Sequence, residues 1–219
     1  MRVLGLDAAL GHCSAAVVDD GMLRGSCTVA IRQGQPAALP AVVQAAFDAA
    51  SMVPSELDLI AVTIGPGSFT GIRSGLAFAH GLAVGLGIPV VGVTVGQALA
   101  VAARPGPQRA LWSVVDNRRG QIFLERDGQV ATVSLQALPQ PAGPVAISGD
   151  AAIEVAARLA AQGHDVLLTD RRVPTPFDVA MAGKALLRDG GEPGLVRPLY
   201  IDAPAVRVQA GGLRTAPVP

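Results

Sequence analysis

The chain has 219 residues, enough to bury a substantial core in one domain or two small lobes. Half of the residues are hydrophobic, only 3% are aromatic, and the formal charges cancel, so the core is built from Ala, Val and Leu and no long-range field draws a polyanion. No apolar run approaches the roughly 20 residues that span a bilayer, and the N-terminal segment is a strand carrying Asp7 rather than a basic region before a signal core. The expected compartment is the cytoplasm, with no membrane partner, and Cys13 and Cys27 are read as reduced core thiols.

Along the chain the hydrophobic period switches several times. Arg2–Asp7, 13–18 and 23–31 are short β-rich runs separated by Gly11 and the Asp19-Asp20-Gly21 turn, a meander. Pro36 sits where a helix starts, and Leu39, Val42, Val43, Ala46, Phe47 and Ala50 follow at helical spacing. Residues 59–64 read as a buried strand, 72–86 as a long helix rich in small residues, 90–93 as a strand and 98–103 as a helix. Arg104-Pro105-Gly106-Pro107 is the best linker in the sequence. Beyond it come a hairpin, 110–115 and 121–126, around Asn117–Gly120, and a further strand at Gln129–Val133. A strand at 145–147, a helix at 151–161, a strand at Val166–Leu168 and a helix at 177–188 follow. The expected organisation is a first lobe over 1–103, a second over 104–203 and a flexible tail over 204–219.

The most specific segment is Gly65-Pro66-Gly67-Ser68-Phe69-Thr70-Gly71-Ile72-Arg73, a glycine-rich turn between a strand and a helix. Such turns often hold phosphate groups. Here the spacing is G-x-G-x-x-x-G, no Gly-Lys-Ser/Thr follows, and Pro66 lacks an N–H, so neither familiar phosphate fingerprint fits. A nucleophile elbow needs glycines where Pro66 and Thr70 stand. The hydroxyls of Ser68 and Thr70 are better suited to capping the helix that begins near Gly71. The three histidines, His12, His80 and His164, are dispersed, with no metal-binding pair among them.

Together with Asp7, this segment resembles the TsaB (YeaZ) family, part of the bacterial machinery that makes threonylcarbamoyladenosine in transfer RNA. Val3-Leu4-Gly5-Leu6-Asp7-Ala8-Ala9 with Cys13-Ser14, Leu39-Pro40, and Ile88-Pro89-Val90-Val91-Gly92-Val93-Thr94 carry the resemblance further. Asp116-Asn117-Arg118-Arg119-Gly120-Gln121-Ile122-Phe123 is similar to the family's D-A-R-x-G-E-[VI]-[YF] segment. Val196-Arg197-Pro198-Leu199-Tyr200-Ile201 is similar to its P-x-Y-[LV] ending. The match is specific from residue 1 to about 125 and looser to about 202. It implies an α/β fold of two lobes, actin/hexokinase-like (the ASKHA, ribonuclease H-like ATPase architecture), with the second lobe degraded.

The resemblance also implies a role: a non-catalytic scaffold that pairs with the catalytic paralogue TsaD and the ATPase TsaE and supports threonylcarbamoyl transfer to an adenosine of tRNA. The tRNA is met only through the complex, and the isolated protein is expected to be a homodimer. In TsaD a histidine pair on the first long helix binds the metal; the matching stretch, 33–39, has no histidine, so no metal site and no catalytic residue are expected. No cofactor of its own is expected either, although ATP or ADP is possible at an interface with partners. The resemblance carries the interface role to Leu39, Val43 and Phe47 on the first helix and to Arg73, Leu76 and His80 on the second. Gly71 and Gly75, with Gly81 and Gly85, place small residues four apart on that second helix, which suits close approach of another backbone, in this chain or in a partner. Arg73 near a helix start is unfavourable with the dipole, which suggests a carboxylate partner within the chain or across an interface.

Asp7, Gly65, Gly67 and Ser68 are candidates for lying near a nucleotide, since this architecture places a carboxylate at the first strand end beside metal-bound phosphates. The simpler reading of Asp7 is a turn former bonding local amides. Arg118 and Arg119, on a hairpin tip, are candidates to touch an acidic partner or RNA phosphate, or else belong to a solvated turn. Two rivals remain from other classes: an ATP-binding sugar-kinase-like enzyme and a glycoprotease-type peptidase.

Overall fold

The structure, a computed structural model, describes residues 1–30, 38–190 and 196–201. Pro36, Ile31 and the 204–219 tail of the sequence-based expectations lie outside these described residues. β1 (Arg2–Asp7), β2 (His12–Asp19) and β3 (Met22–Ala30) form an antiparallel meander; β4 (Leu59–Gly65) and β5 (Val90–Thr94) add parallel to β1, giving the order β3-β2-β1-β4-β5. The second sheet repeats the plan. β6 (Ala110–Asp116), β7 (Ile122–Arg126) and β8 (Gln129–Val133) are antiparallel, and β9 (Val145–Ser148) and β10 (Val166–Leu168) run parallel to β6, in the order β10-β9-β6-β7-β8. Two sheets of one topology in one chain make a duplicated α/β architecture.

Strand alternation distributes the core of the first sheet between two layers. Leu4, Leu6, Ile60 and Val62 face α1 (Leu39–Ala50) and α2 (Phe69–Leu86), while Val3, Leu59, Ala61 and Val93 face the opposite side with Val179, Ala180 and Ala182. α1 buries Leu39, Val42, Val43, Ala46 and Phe47 against β2 and β3. Each fully buried large apolar side chain of this kind contributes about 1.5–3 kcal/mol. In the second lobe α4 (Ala152–Ala161) covers Trp112, Val114 and Ile147. Between β8 and β9 the described chain forms only a short 3-10 turn, Leu135–Ala137, where the first lobe has α1. The second lobe is therefore a reduced copy of the first.

The lobe boundary expected at residue 103 separates the two sheets but not the two lobes. α5 (Pro176–Arg188) follows β10 in sequence and packs on β1, β2 and β4 of the first sheet. It lies close because the sheet offers little there: a methyl at Gly5 would stand 2.1 Å from the Pro176 carbonyl oxygen, and one at Gly183 would stand 2.4 Å from Ala61 Cβ. Residues 196–201 also return to the first lobe, where the Leu199 amide donates to the Ile64 carbonyl at 2.9 Å. The physical reason is the apolar face of the first sheet opposite α1 and α2, which α3 covers only in part.

Two helices begin earlier than their hydrophobic periods suggest. α2 starts at Phe69 because Ser68 caps it, its Oγ accepting from the Gly71 amide at 3.2 Å. α3 (Val95–Ala103) starts directly after β5 because Thr94 and Gln97 form a reciprocal capping box. It lies against α5 and β6, between the two sheets. Among the described residues, no helix is long and apolar enough to cross a membrane.

Candidate functional site

The glycine turn and the end of β1 form one packed unit. Asp7 is 1% exposed, and its Oδ1 accepts from the Ala9 amide at 3.0 Å and from the Thr63 hydroxyl at 2.8 Å. Burial raises its carboxyl above the usual carboxylate range, against the lowering effects of those two hydrogen bonds and of nearby His12. The Ser68 amide donates to the Ala9 carbonyl at 2.8 Å. A methyl at Gly67 would stand 2.3 Å from that same oxygen, and one at Gly71 would stand 2.0 Å from the Ala8 carbonyl oxygen. So Asp7, Gly67 and Ser68 are brought together, but around the backbone of Ala8 and Ala9, while Gly65 lies against Ile72 and Leu199. The absence of side chains at Gly67 and Gly71 is taken up by the β1–β2 turn.

The expected interface residues divide into two groups. Leu39, Val43, Phe47 and Leu76 are 1–5% exposed and belong to the chain's own core, which corrects their assignment to a partner-facing surface. Helical periodicity marks the buried stripe of a helix, and here that stripe meets the sheet. Gly71 and Gly75 are likewise buried, Gly75 beneath Ala8 and Val62. The outer face of α2 is different. Phe69 is 63% and Val84 84% exposed, and Arg73, Ala77, Gly81 and Gly85 lie exposed with them. A methyl at Gly81 or Gly85 would meet nothing within 4 Å.

At the N-terminal end of that face, Arg73 meets no carboxylate among the described residues. Its guanidinium stacks 3.6 Å from the centroid of Phe69, and its Nη2 donates to Tyr200 Oη at 2.9 Å. His80 points inward along the same helix, and its Nε2 donates to the Val196 carbonyl at 2.9 Å. Phe69 and Tyr200 are members of this cluster that sequence reasoning did not single out. Both lie in quoted motifs, but nothing in their spacing reveals that residues 196–201 return to α2.

The second lobe carries a polar cluster at the matching strand end. Arg118, in a left-handed conformation, bonds Asp116 Oδ2 and Asp150 Oδ2, each at 3.1 Å. The Asp116 amide donates to Asp150 Oδ1 at 2.8 Å. Burial raises the Asp150 carboxyl, opposed by the Asp116 amide and Arg118. With Glu154 these residues line an open cleft. Arg118 is thus neutralised within the chain, whereas Arg119 is exposed and forms no ion pair among the described residues. Between the lobes, Glu125 of β7 is 8% exposed. It accepts from the Thr94 hydroxyl and, at 3.0 Å, from the Gly96 amide in the first turn of α3. Burial raises its carboxyl as well. A carboxylate at a helix N-terminus satisfies free amides and the helix dipole together. Among the described residues, no three His, Cys, Asp or Glu side chains gather as a metal site.

Comparison with known proteins places this geometry in context. Residues 33–185 match the family model "TsaD: tRNA N6-adenosine threonylcarbamoyltransferase". The chain is 33% identical over 125 residues to the tRNA threonylcarbamoyladenosine biosynthesis protein TsaB of Escherichia coli K12, covering 56% of this chain and 53% of that protein. It is 30% identical over 238 aligned positions to the tRNA N6-adenosine threonylcarbamoyltransferase of Paracoccus denitrificans, covering 99% of this chain and 61% of that protein. By these measures the chain spans about half the length of the curated relatives it matches. Among solved structures, YeaZ from Pseudomonas aeruginosa superposes with a TM-score of 0.76 at 23% identity, over 91% of this chain and 99% of that one. The ROK hexokinase of Thermus thermophilus superposes with a TM-score of 0.52 at 14% identity, over 85% and 100%. These two likenesses show the fold, two lobes of the actin/hexokinase-like kind.

Proposed function

The chain belongs to the TsaD family, with TsaB (YeaZ) proteins among its relatives in tRNA threonylcarbamoyladenosine biosynthesis, and from that premise we propose that it is a non-catalytic subunit that docks a TsaD-like catalytic protein through the outer face of α2. The observation that carries this reading is the contrast along one helix. Gly71 and Gly75 are accounted for by the chain's own packing, while Gly81 and Gly85 face open space beside the exposed Val84. Each exposed helical glycine costs about 1 kcal/mol relative to alanine. Close approach of a partner helix offsets that cost, and the free chain uses the same face to form a homodimer. Docking selects the competent state of the catalytic subunit by binding it more tightly than the others. A TsaE-like ATPase joins the assembled pair, and tRNA and any ATP or ADP are engaged by that assembly.

The sugar-kinase-like rival loses support from the closed glycine turn, because the space a phosphate needs beside Gly67 and Gly71 is filled by Ala8 and Ala9. The deciding experiment is a reconstitution of adenosine modification with a TsaD-like subunit, a TsaE-like ATPase, threonylcarbamoyl-adenylate and tRNA, with and without this chain. Val84→Glu probes the outer face; Leu76 is unsuitable because a charge there tests folding instead. Modification that requires this chain, survives Asp7→Asn and is lost in Val84→Glu is the expected result. Full modification without the chain refutes the scaffold role. Loss in Asp7→Asn alone, in a protein that still folds, favours the nucleotide-binding rival.

A further inference from the structure

Arg73 is a cation held in place by two aromatic side chains. Its guanidinium lies 3.6 Å from the centroid of Phe69 and 5.9 Å from that of Tyr200, and one of its five N–H donors is given to Tyr200 Oη at 2.9 Å. Among the described residues it has no carboxylate partner. The two rings that hold it are themselves 63% and 61% exposed. An arginine stacked on one exposed ring and hydrogen-bonded to the hydroxyl of another has already lost rotamer freedom that binding would otherwise remove. Arginine and aromatic side chains are also the groups on which interface energy concentrates.

Tyr200 reaches this place because residues 196–201 are strapped along the first lobe. His80 Nε2 donates to the Val196 carbonyl, the Leu199 amide donates to the Ile64 carbonyl, and Val196 lies so close over β5 that a methyl at Gly92 would stand 2.4 Å from its Cγ1. The strap therefore runs antiparallel to α2, with Val196 beside His80 and Tyr200 beside Arg73.

We propose that Phe69, Arg73 and Tyr200 form a preorganised receptor for a carboxylate side chain of the protein partner, and that the 196–201 strap is what assembles it. This rests on the docking reading given above and names the chemistry that the α2 face recognises. Charge decides the occupant. Arg73 is the fifth residue of α2, past the first turn in which the helix dipole acts, and it has no carboxylate among the described residues, so an incoming carboxylate supplies the counter-charge it lacks. A protein carboxylate is favoured over RNA because the rest of the exposed face of α2 is Ala77, Gly81, Val84 and Gly85, so that Arg73 with Arg197 of the strap are too few cations to follow a chain of phosphates. The net charge of the whole chain is zero. The guanidinium fork leaves donors for a carboxylate after Tyr200 is satisfied, which a lysine in the same place does not match.

The test is calorimetric titration of the full chain into the TsaD-like subunit, with variants Arg73→Ala, Arg73→Lys, Tyr200→Phe, Arg73→Ala/Tyr200→Phe and Val84→Glu, each checked for an unchanged melting curve. Arg73→Ala is expected to weaken binding by at least about tenfold, with Arg73→Lys recovering little of it. Tyr200→Phe, which keeps the ring and the fold, is expected to weaken binding by about threefold. The double variant should lose less than the product of the single losses, because both act on one contact. The affinity of the parent chain should fall with added salt more steeply than that of Arg73→Ala. Wild-type affinity in Arg73→Ala, with binding abolished in Val84→Glu, overturns the receptor and leaves the docking face standing. Wild-type affinity in both variants overturns the docking reading itself. Loss of tRNA retention by the free chain in Arg73→Ala, with partner affinity unchanged, assigns the site to RNA and overturns the proposal. Loss of the homodimer alone does the same by assigning the carboxylate to a second copy.

Discussion

One substitution made twice on α2 separates a packing glycine from a docking glycine. Gly81→Ala adds a methyl where nothing lies within 4 Å, in the interior of an 18-residue helix. The free chain should gain the propensity difference, about 0.8–1 kcal/mol. For a chain of this size, that raises Tm by about 2–4 °C. Gly71→Ala gains the same propensity, but its methyl would stand 2.0 Å from the Ala8 carbonyl oxygen and 3.2 Å from Ser68 Oγ. The struck atom is backbone in the β1–β2 turn, so the turn must move and take the Asp7–Ala9 hydrogen bond with it. Overpacking of this kind costs about 1–3 kcal/mol, enough to reverse the sign. Urea unfolding followed by circular dichroism, at protein concentrations low enough to keep the chain monomeric, measures both. A destabilised Gly81→Ala would show that the outer face is already covered in the free chain. A neutral or stabilised Gly71→Ala would show that the glycine turn does not rest on Ala8. Either result refutes the argument from the two kinds of glycine.

Three further outcomes follow from the buried polar groups. Burial raises the folded-state pKa of Asp7 above its unfolded value, so the stability this carboxyl contributes is full below about pH 4 and is lost as pH rises through the folded-state pKa. Asp7→Asn keeps an oxygen for Ala9 and Thr63, and its stability relative to the parent should improve as pH rises above about 4 and level off once pH passes the folded-state pKa of Asp7; a difference independent of pH contradicts this. Glu125→Ala leaves the Gly96 amide and Thr94 hydroxyl without their acceptor, at a cost of about 1–3 kcal/mol. Hydrogen exchange at residues 95–97 should accelerate, and unchanged protection there would mean that Glu125 does not tie β7 to α3. Burial pushes the Cys13 thiol up to about 11, while Cys27 is only half-buried, so alkylation at pH 8 should label Cys27 well before Cys13. Equal labelling rates would contradict the packing of β2 against the first core layer.

Much of the fold was legible because it rests on local pattern. The meander through β3, the strand–turn–helix around Gly65 and the apolar stripe of α1 are each fixed by residues within a few positions of one another. Helix starts were misread by three residues at α2 and α3, since Ser68 and Thr94 act through side-chain hydrogen bonds that hydrophobic periodicity does not register. The site was harder to read. Leu39, Val43, Phe47 and Leu76 look the same in sequence whether a helix presents them to its own sheet or to another subunit, and only the packed sheet shows that the first is true.

The sequence by itself determined the two-lobed α/β class, the capped glycine turn and the absence of a phosphate fingerprint in it. These depend on residue type and spacing, which set backbone conformation and donors locally. The tertiary structure alone decided three pairings: the glycine turn with Ala8 and Ala9, α5 with the first sheet, and Tyr200 with Arg73 across 127 positions. Such contacts join segments far apart in the chain, where the packing of whole elements, and no local preference, selects which residues meet.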